Sequence, residues 1–189
     1  MLTFRYGNTN TYYLNGLLID TDMPGTITGL FMELKRNKIE LKDIKYVIAT
    51  HYHPDHIGLI SELMSYGIKL LIVDKQLDYV HFSDPVFGKD KNVRYQPIQE
   101  NDAMIINCDE SRKFLSQIEI NGEIIATESH SADGIAILTD DGNCFVGDLE
   151  PFTFIEATEN NLLLKNDWKS ILDRKPKNIY FGHYNNIKL

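Results

Sequence analysis

Three histidines and an aspartate fall within one short segment of the chain, His51-Tyr52-His53-Pro54-Asp55-His56. In an extended segment, side chains two positions apart point to the same side, so His51 and His53 can bind one ion together. Pro54 fits the first position of a helix, and the turn there directs Asp55 and His56 toward a neighbouring second ion. Imidazole and carboxylate groups suit zinc or a similar borderline metal ion. The segment therefore predicts a metal site.

The elements on either side of this segment place it at the end of a buried strand. Tyr46–Thr50 is a compact apolar run that predicts a strand ending directly before His51. Beyond the segment, apolar residues at helical spacing predict a helix that runs from Pro54 to near Gly67. We expect the metal-binding side chains to collect at one rim of a sheet.

Short apolar strands and amphipathic helices alternate along the rest of the chain, which indicates an α/β fold. Asn15-Gly16 and Asp140-Asp141-Gly142-Asn143 predict hairpin turns. Residues 74–104 show no clean period, and we expect a loop-rich excursion with one short helix. The other predicted strands are Thr11–Leu14, Gly16–Ile19, Ile68–Val73, Glu123–Thr127, Ile135–Thr139, Cys144–Val146 and Asn178–Phe181. The other predicted helices are Ile27–Lys35, Ser111–Ser116 and Leu162–Leu172.

The segment at 51–56 resembles the HxHxDH signature of the metallo-β-lactamase superfamily, and the resemblance extends from Asn10 to His183. It implies that His130 is the third ligand of the first metal and that Asp148 bridges both metals. It also implies that His183 is the last ligand of the second metal. The implied set of metal ligands is His51, His53, Asp55, His56, His130, Asp148 and His183. Five of the six histidines then have a role, and His81 has none.

The resemblance also implies the fold class. This is α/β, a four-layer αβ/βα sandwich of two mixed β-sheets flanked by helices, in a single domain over residues 1–189. Asp20, at the end of a predicted strand, matches an early aspartate of the family that usually contacts a ligating histidine.

Two short stretches depart from the family's pattern. The family commonly has Asp-Thr-Gly where this chain has Asp20-Thr21-Asp22. It commonly has Pro-Gly or a similar pair where Glu128-Ser129 precede His130. We expect these departures to change loops and to leave every ligand in place.

A site with two metals predicts hydrolysis. Water that bridges two divalent ions loses a proton near neutral pH, and the resulting hydroxide is a nucleophile. Asp55 is the predicted catalytic residue, because it would bind the second metal and orient that hydroxide. We expect a small-molecule substrate of the thioester, ester or lactone type, and two divalent ions, Zn²⁺ first and Fe or Mn as alternatives. The bridging Asp148 argues against hydrolysis of β-lactams, because true β-lactamases of the superfamily generally lack it.

Two other functions fit the same resemblance. One is a phosphodiesterase or nuclease similar to RNase Z, for which the basic cluster Lys89, Lys91 and Arg94 would contact RNA. The other is an iron-dependent redox protein of the same fold. Diiron nitric-oxide and oxygen reductases usually have Glu at the position of His53, which favours the hydrolase.

Composition narrows the partners and the location. The chain has 189 residues and a formal net charge of −8 at pH 7, which disfavours binding to nucleic acid. Its two cysteines, Cys108 and Cys144, form no disulfide framework, and we expect reduced thiols that are at least partly buried. Met1–Tyr13 lacks the apolar core of a signal peptide, and no run approaches membrane-spanning length. We therefore expect a cytoplasmic protein without a membrane partner; nothing in the sequence indicates an oligomeric state.

Overall fold

The computed structural model of this chain describes residues 1–89, 95–155 and 161–189. The chain divides into two compact units, Met1–Asn107 and Cys108–Leu189. Within the described ranges, each unit contains one mixed β-sheet together with its helices. The predicted α/β class with two mixed sheets is confirmed, and a single domain over 1–189 stays a prediction.

The described part of the first unit forms a six-stranded sheet in the order β1-β2-β3-β4-β5-β6. The first three strands pair antiparallel, and β3 to β6 pair parallel. The strands are β1 (Leu2–Phe4), β2 (Thr11–Leu14), β3 (Leu17–Ile19), β4 (Tyr46–Ile48), β5 (Lys69–Val73) and β6 (Met104–Ile106). The helices are α1 (Ile27–Arg36), α2 (Pro54–Ile57), α3 (Ile60–Ser65) and α4 (Asp84–Phe87), with 3-10 helices at Leu41–Asp43, Asp74–Tyr79 and Glu100–Asp102.

The described part of the second unit forms a five-stranded sheet in the order β11-β10-β9-β8-β7. Strands β9 and β10 pair parallel, and the other neighbours pair antiparallel. The strands are β7 (Gly122–Ala126), β8 (Ile135–Thr139), β9 (Asn143–Gly147), β10 (Asn178–Phe181) and β11 (Ile187–Lys188). The helices are α5 (Cys108–Gln117) and α6 (Leu162–Leu172), with a 3-10 helix at Phe152–Phe154.

Each unit has its own hydrophobic core. In the first unit, buried residues of β3, β4 and β5 lie in one cluster with Leu30 of α1 and Leu63 of α3. In the second unit, Trp168 of α6 is buried against residues of β8, β9 and β10. Helix α6 begins where the Asn161 side chain accepts the N–H of Leu164 at 3.0 Å, a contact typical of a helix N-cap.

The Asn15-Gly16 hairpin forms as predicted. Strands β2 and β3 pair antiparallel up to Leu14 and Leu17. Both turn residues have positive φ, 49° at Asn15 and 87° at Gly16. Because a two-residue hairpin of this type needs positive φ at both positions, Asn followed by Gly is the pair that adopts it at least cost.

The prediction of one continuous helix from Pro54 to near Gly67 is wrong. The structure has two helices there, because α2 ends at Ile57 and α3 begins at Ile60. At the break, the N–H of Leu59 donates to the Thr21 hydroxyl at 3.3 Å. Gly58 also lies against the loop after β3, since a Cβ there would be 2.4 Å from the Asp22 carbonyl oxygen. A contact with a distant loop therefore interrupts a helix that the local periodicity favours.

The 74–104 excursion contains one short α-helix, α4, as predicted. It is more regular than expected at its end, because β6 begins at Met104 and pairs with β5. The sequence analysis did not predict β1 or β6, each of which is three residues long. Lys91 and Arg94 of the predicted basic cluster lie outside the described residues.

Candidate metal centre

The predicted ligands of the first unit lie together just beyond the end of β4. His51 Nε2 and His53 Nδ1 are 2.9 Å apart. Two nitrogens that bind one tetrahedral zinc ion are separated by about 3.3 Å, given Zn–N distances near 2.05 Å. His51 and His56 offer ligand atoms within 4.8 Å of each other, and so do Asp55 and His56. The donors therefore converge as ligands of a shared metal centre would.

Asp20 orients one of these histidines. Strands β3 and β4 pair in parallel, with Ile19 opposite Ile48, so Asp20 emerges at the same rim as the histidine segment. Its Oδ2 lies 3.0 Å from His56 Nδ1, and both side chains are buried. A carboxylate on one ring nitrogen fixes the imidazole and directs the other nitrogen to a metal. The predicted contact between Asp20 and one of the candidate ligand histidines is present, and that histidine is His56.

Asp20 is itself held in a specific conformation. Its Oδ1 accepts the N–H of Thr50 at 2.6 Å, and its Oδ2 accepts the Thr50 hydroxyl at 2.8 Å. The backbone of Asp20 has φ 57°, in the left-handed region that aspartate tolerates better than most residues. These contacts tie the ends of β3 and β4 together directly beside the histidine segment.

The three predicted ligands of the second unit also lie close to one another. Asp148 and His183 closely follow the ends of β9 and β10, and the N–H of Gly182 donates to the Gly147 carbonyl at 2.7 Å. This pairing brings His183 Nε2 within 3.4 Å of Asp148 Oδ2. His130 Nε2 lies 3.9 Å from the same oxygen. One carboxylate oxygen thus faces both imidazoles.

The sequence pattern missed Asp167, which holds the loop before His130. Asp167 lies on α6 and is 8% exposed. Its Oδ2 accepts the N–H groups of Glu128 at 2.9 Å and Ser129 at 2.8 Å. Proline has no N–H, so a proline at position 128, where the family commonly has one, would lack the first of these bonds. Only the departure at Glu128-Ser129 pointed to this loop.

His81, the histidine without a predicted role, lies between two carboxylates of the first unit. Its Nδ1 is 2.8 Å from Asp84 Oδ2, and its Nε2 is 3.1 Å from Glu100 Oε2. The hydrogen bond with Asp84, supported by Glu100, raises the pKa of His81 above its ordinary value. His81 thus ties α4 to the 3-10 helix at Glu100–Asp102.

The two cysteines match the expectation of at least partly buried thiols. Cys144 on β9 is buried, and Cys108 at the start of α5 is partly exposed. Burial raises the pKa of the Cys144 thiol, so this side chain stays protonated and packs as an apolar group. Among the helices in the described ranges, none is both long and apolar enough to cross a membrane.

The family model described as the metallo-beta-lactamase superfamily matches residues 5–183. The chain is 27% identical over 187 residues to a beta-lactamase-like protein 2 homolog of Drosophila melanogaster, a match that covers 95% of the chain and 60% of that protein. It is 35% identical over 66 residues to an anaerobic nitric oxide reductase flavorubredoxin homolog of Escherichia coli O157:H7, covering 33% of the chain and 16% of that protein. The chain therefore spans 60% or less of the length of these relatives.

Solved structures share the fold. A metallo-beta-lactamase family protein from Thermus thermophilus matches with a TM-score of 0.72 at 18% identity, covering 95% of this chain and 70% of that one. The protein TTHA1623, solved in a di-iron-bound form, matches with a TM-score of 0.71 at 15% identity, covering 99% and 93%. The family model matches nearly the whole chain, and the solved structures share its fold. The chain therefore belongs to the metallo-β-lactamase superfamily.

Proposed function

We propose that this chain is a metal-dependent hydrolase that binds two divalent metal ions. Members of the superfamily are mostly metal-dependent hydrolases. The observation that carries the proposal is the complete donor set, which clusters within each unit and follows the family's order along the chain. The proposed ligands are His51, His53, Asp55 and His56 of the first unit and His130, Asp148 and His183 of the second.

The donors fit the proposed ions chemically. Five imidazoles and two carboxylates suit zinc, and the same set accepts iron or manganese. Asp148 fits a bridging role, because one of its oxygens faces both His130 and His183. When bound, the two ions would supply Lewis acidity and lower the pKa of a water molecule.

The chain's own residues have separate tasks in the proposed reaction. Asp20 fixes the His56 ring through Nδ1, so Nε2 is the donor atom for the metal. Asp55 accepts a hydrogen bond from the attacking water and orients it toward the carbonyl carbon of the substrate. Asp167 holds the loop that carries His130. All three residues fix geometry before the substrate arrives, so little reorganisation is needed during the reaction.

We propose a small thioester, ester or lactone-like substrate. A net charge of −8 repels polyanions such as RNA, which speaks against a nuclease. An iron-dependent redox function is the second candidate, supported by the flavorubredoxin match and by the di-iron form of TTHA1623. His53 supports the hydrolase, because the related diiron reductases usually have Glu at that position.

A panel of chromogenic thioester, ester, lactone, phosphodiester and β-lactam substrates tests the proposal. We expect hydrolysis of an acyl substrate that stops with a chelator and returns when zinc is added. His53→Ala should reduce kcat/KM by more than about 100-fold, since even residues that only orient a metal ligand contribute about 10–100-fold. His81→Ala is the matched control and should retain activity. Loss of activity in both variants, or hydrolysis that survives complete removal of metal, would reject the proposal.

A further inference from the structure

Asp22, the residue that departs from the family's Asp-Thr-Gly pattern, is buried and holds another part of the chain. It is 1% exposed. Its Oδ2 accepts the N–H of Thr9 at 3.1 Å, and its Oδ1 accepts the N–H of Met23 at 2.7 Å. A glycine at position 22 would offer no carboxylate. The hydrogen bond to the Thr9 N–H therefore depends on Asp22, at a position where the family commonly has glycine.

Thr9 connects Asp22 to the proposed catalytic residue. The Thr9 side chain is fully buried, and its hydroxyl donates to Asp55 Oδ2 at 3.3 Å. Thr9 thus contacts Asp22 through its N–H and Asp55 through its hydroxyl. The contact joins the segment before β2 to the first turn of α2.

Gly7 shows how closely this segment passes over Asp22. A Cβ at Gly7 would lie 2.1 Å from Asp22 Oδ2 and 2.5 Å from its Cγ. Only glycine fits there without displacing the carboxylate. The close approach leaves Asp22 and Thr9 little freedom to rearrange.

We propose that Asp22 and Thr9 are positioning residues that set the orientation of the Asp55 carboxylate. The Thr9 hydroxyl donates to Oδ2, and this contact would hold the Asp55 carboxylate in one orientation for its part in binding the second metal ion and orienting the attacking water. The torsion angle of an aspartate carboxylate about its Cβ–Cγ bond has a broad distribution. A hydrogen-bond donor to one of the two oxygens narrows the range of that angle. This inference rests on the proposed function, since it gives Asp55 the role described there.

Thr9→Val tests the inference, because valine keeps the shape of threonine and removes the hydroxyl. Thr11→Val is the matched control: Thr11 is also fully buried, and its hydroxyl donates to Tyr6 Oη at 3.0 Å. Thr9→Ser restores the donor. We expect Thr9→Val to lower kcat by about 10-fold with little change in KM, as is typical when the orienting partner of a metal ligand is lost. Thr9→Ser and Thr11→Val should stay near the original kcat.

A second readout does not depend on catalysis. Zinc is titrated into each apoprotein in competition with a chromogenic chelator. The weaker of the two binding steps should weaken by about 10-fold in Thr9→Val and in neither Thr9→Ser nor Thr11→Val. Asp22→Asn, which keeps the size of the side chain, should change binding in the same direction by a smaller factor, and it replaces Thr9→Val if that variant does not fold.

The outcomes separate the two proposals. If the original chain shows no chelator-sensitive hydrolysis of any substrate, the hydrolase proposal is rejected. The zinc titration still tests the role of Thr9 in that case. If Thr9→Val and Thr11→Val bind zinc equally well and have equal kcat, the positioning role is overturned. Selective weakening in Thr9→Val that serine reverses supports it.

Discussion

The Asp20 carboxylate contacts two different parts of the chain, the candidate ligand His56 and the segment just after β4 at Thr50. It contacts His56 Nδ1 and also accepts the N–H of Thr50. Its position at the end of β3 was predictable from the apolar run before it, and its role was implied by the family resemblance. Thr9 was not predictable, because its hydroxyl acts on Asp55 from 46 positions away. Only the folded chain brings these two residues together.

His81 gives a prediction at the scale of the single residue. Its pKa is raised in the folded chain by the hydrogen bond with Asp84 and by Glu100. The stabilisation is therefore fully present below the unfolded-state pKa of about 6.5 and is lost as pH rises through the higher folded-state pKa. In acid, we expect the original chain to be more stable than His81→Gln, by less than about 1 kcal/mol in the free energy of unfolding. The difference is small because His81 is half-exposed and solvent screens its interactions with Asp84 and Glu100.

Denaturant unfolding of both chains at about pH 5.5 and about pH 8.5 measures this difference. The advantage of the original chain should be present at the lower pH and absent at the higher one. A difference that does not change with pH would show that His81 stabilises by packing alone.

At the scale of elements, α6 holds two loops of the second unit. Asp167 accepts two N–H groups of the loop before His130, and Trp168 Nε1 donates to the Glu150 carbonyl at 2.7 Å. The bounds of α6 were predicted correctly because its apolar spacing is regular. The role of Asp167 was not predictable, since its partners lie 38 and 39 positions earlier. Helical spacing shows which face is buried but not what a buried carboxylate binds.

Asp167→Ala should destabilise the chain by about 1–3 kcal/mol, because it leaves two N–H groups of a partly buried loop without their acceptor. Asp173→Ala is a matched control at the end of the same helix, where Asp173 forms an exposed pair with Lys169. That change should cost less than about 0.5 kcal/mol. Equal unfolding free energies for the two variants, measured in denaturant, would mean that the loop does not depend on Asp167.

The division of α2 from α3 shows a second limit of sequence patterns at this scale. The residues from Ile57 to Met64 have helical spacing, yet the Leu59 N–H bonds to Thr21 instead of continuing the helix. A competing hydrogen bond from a loop 38 positions earlier is invisible to a local pattern. The bounds of α1, α6, β8 and β10 were predicted within one residue, because the patterns that predict them lie within their own sequence.

At the scale of the whole molecule, each of the two units carries some of the proposed ligands. Four belong to Met1–Asn107 and three to Cys108–Leu189. The family model matches residues in both units. Two divalent ions would also offset about half of the formal net charge of −8. The candidate ligands and the role of Asp20 were predicted from the sequence. The contacts of Thr9 and Asp167 were not, because they join residues far apart along the chain.

The most direct measurement of the proposed function is the zinc content of the chain, followed together with hydrolysis while apoprotein is titrated with zinc. We expect binding to saturate at about two ions per chain and hydrolysis to rise with occupancy. Hydrolysis that is already complete in metal-free protein, or a chain that binds no zinc at all, would contradict a two-metal hydrolase.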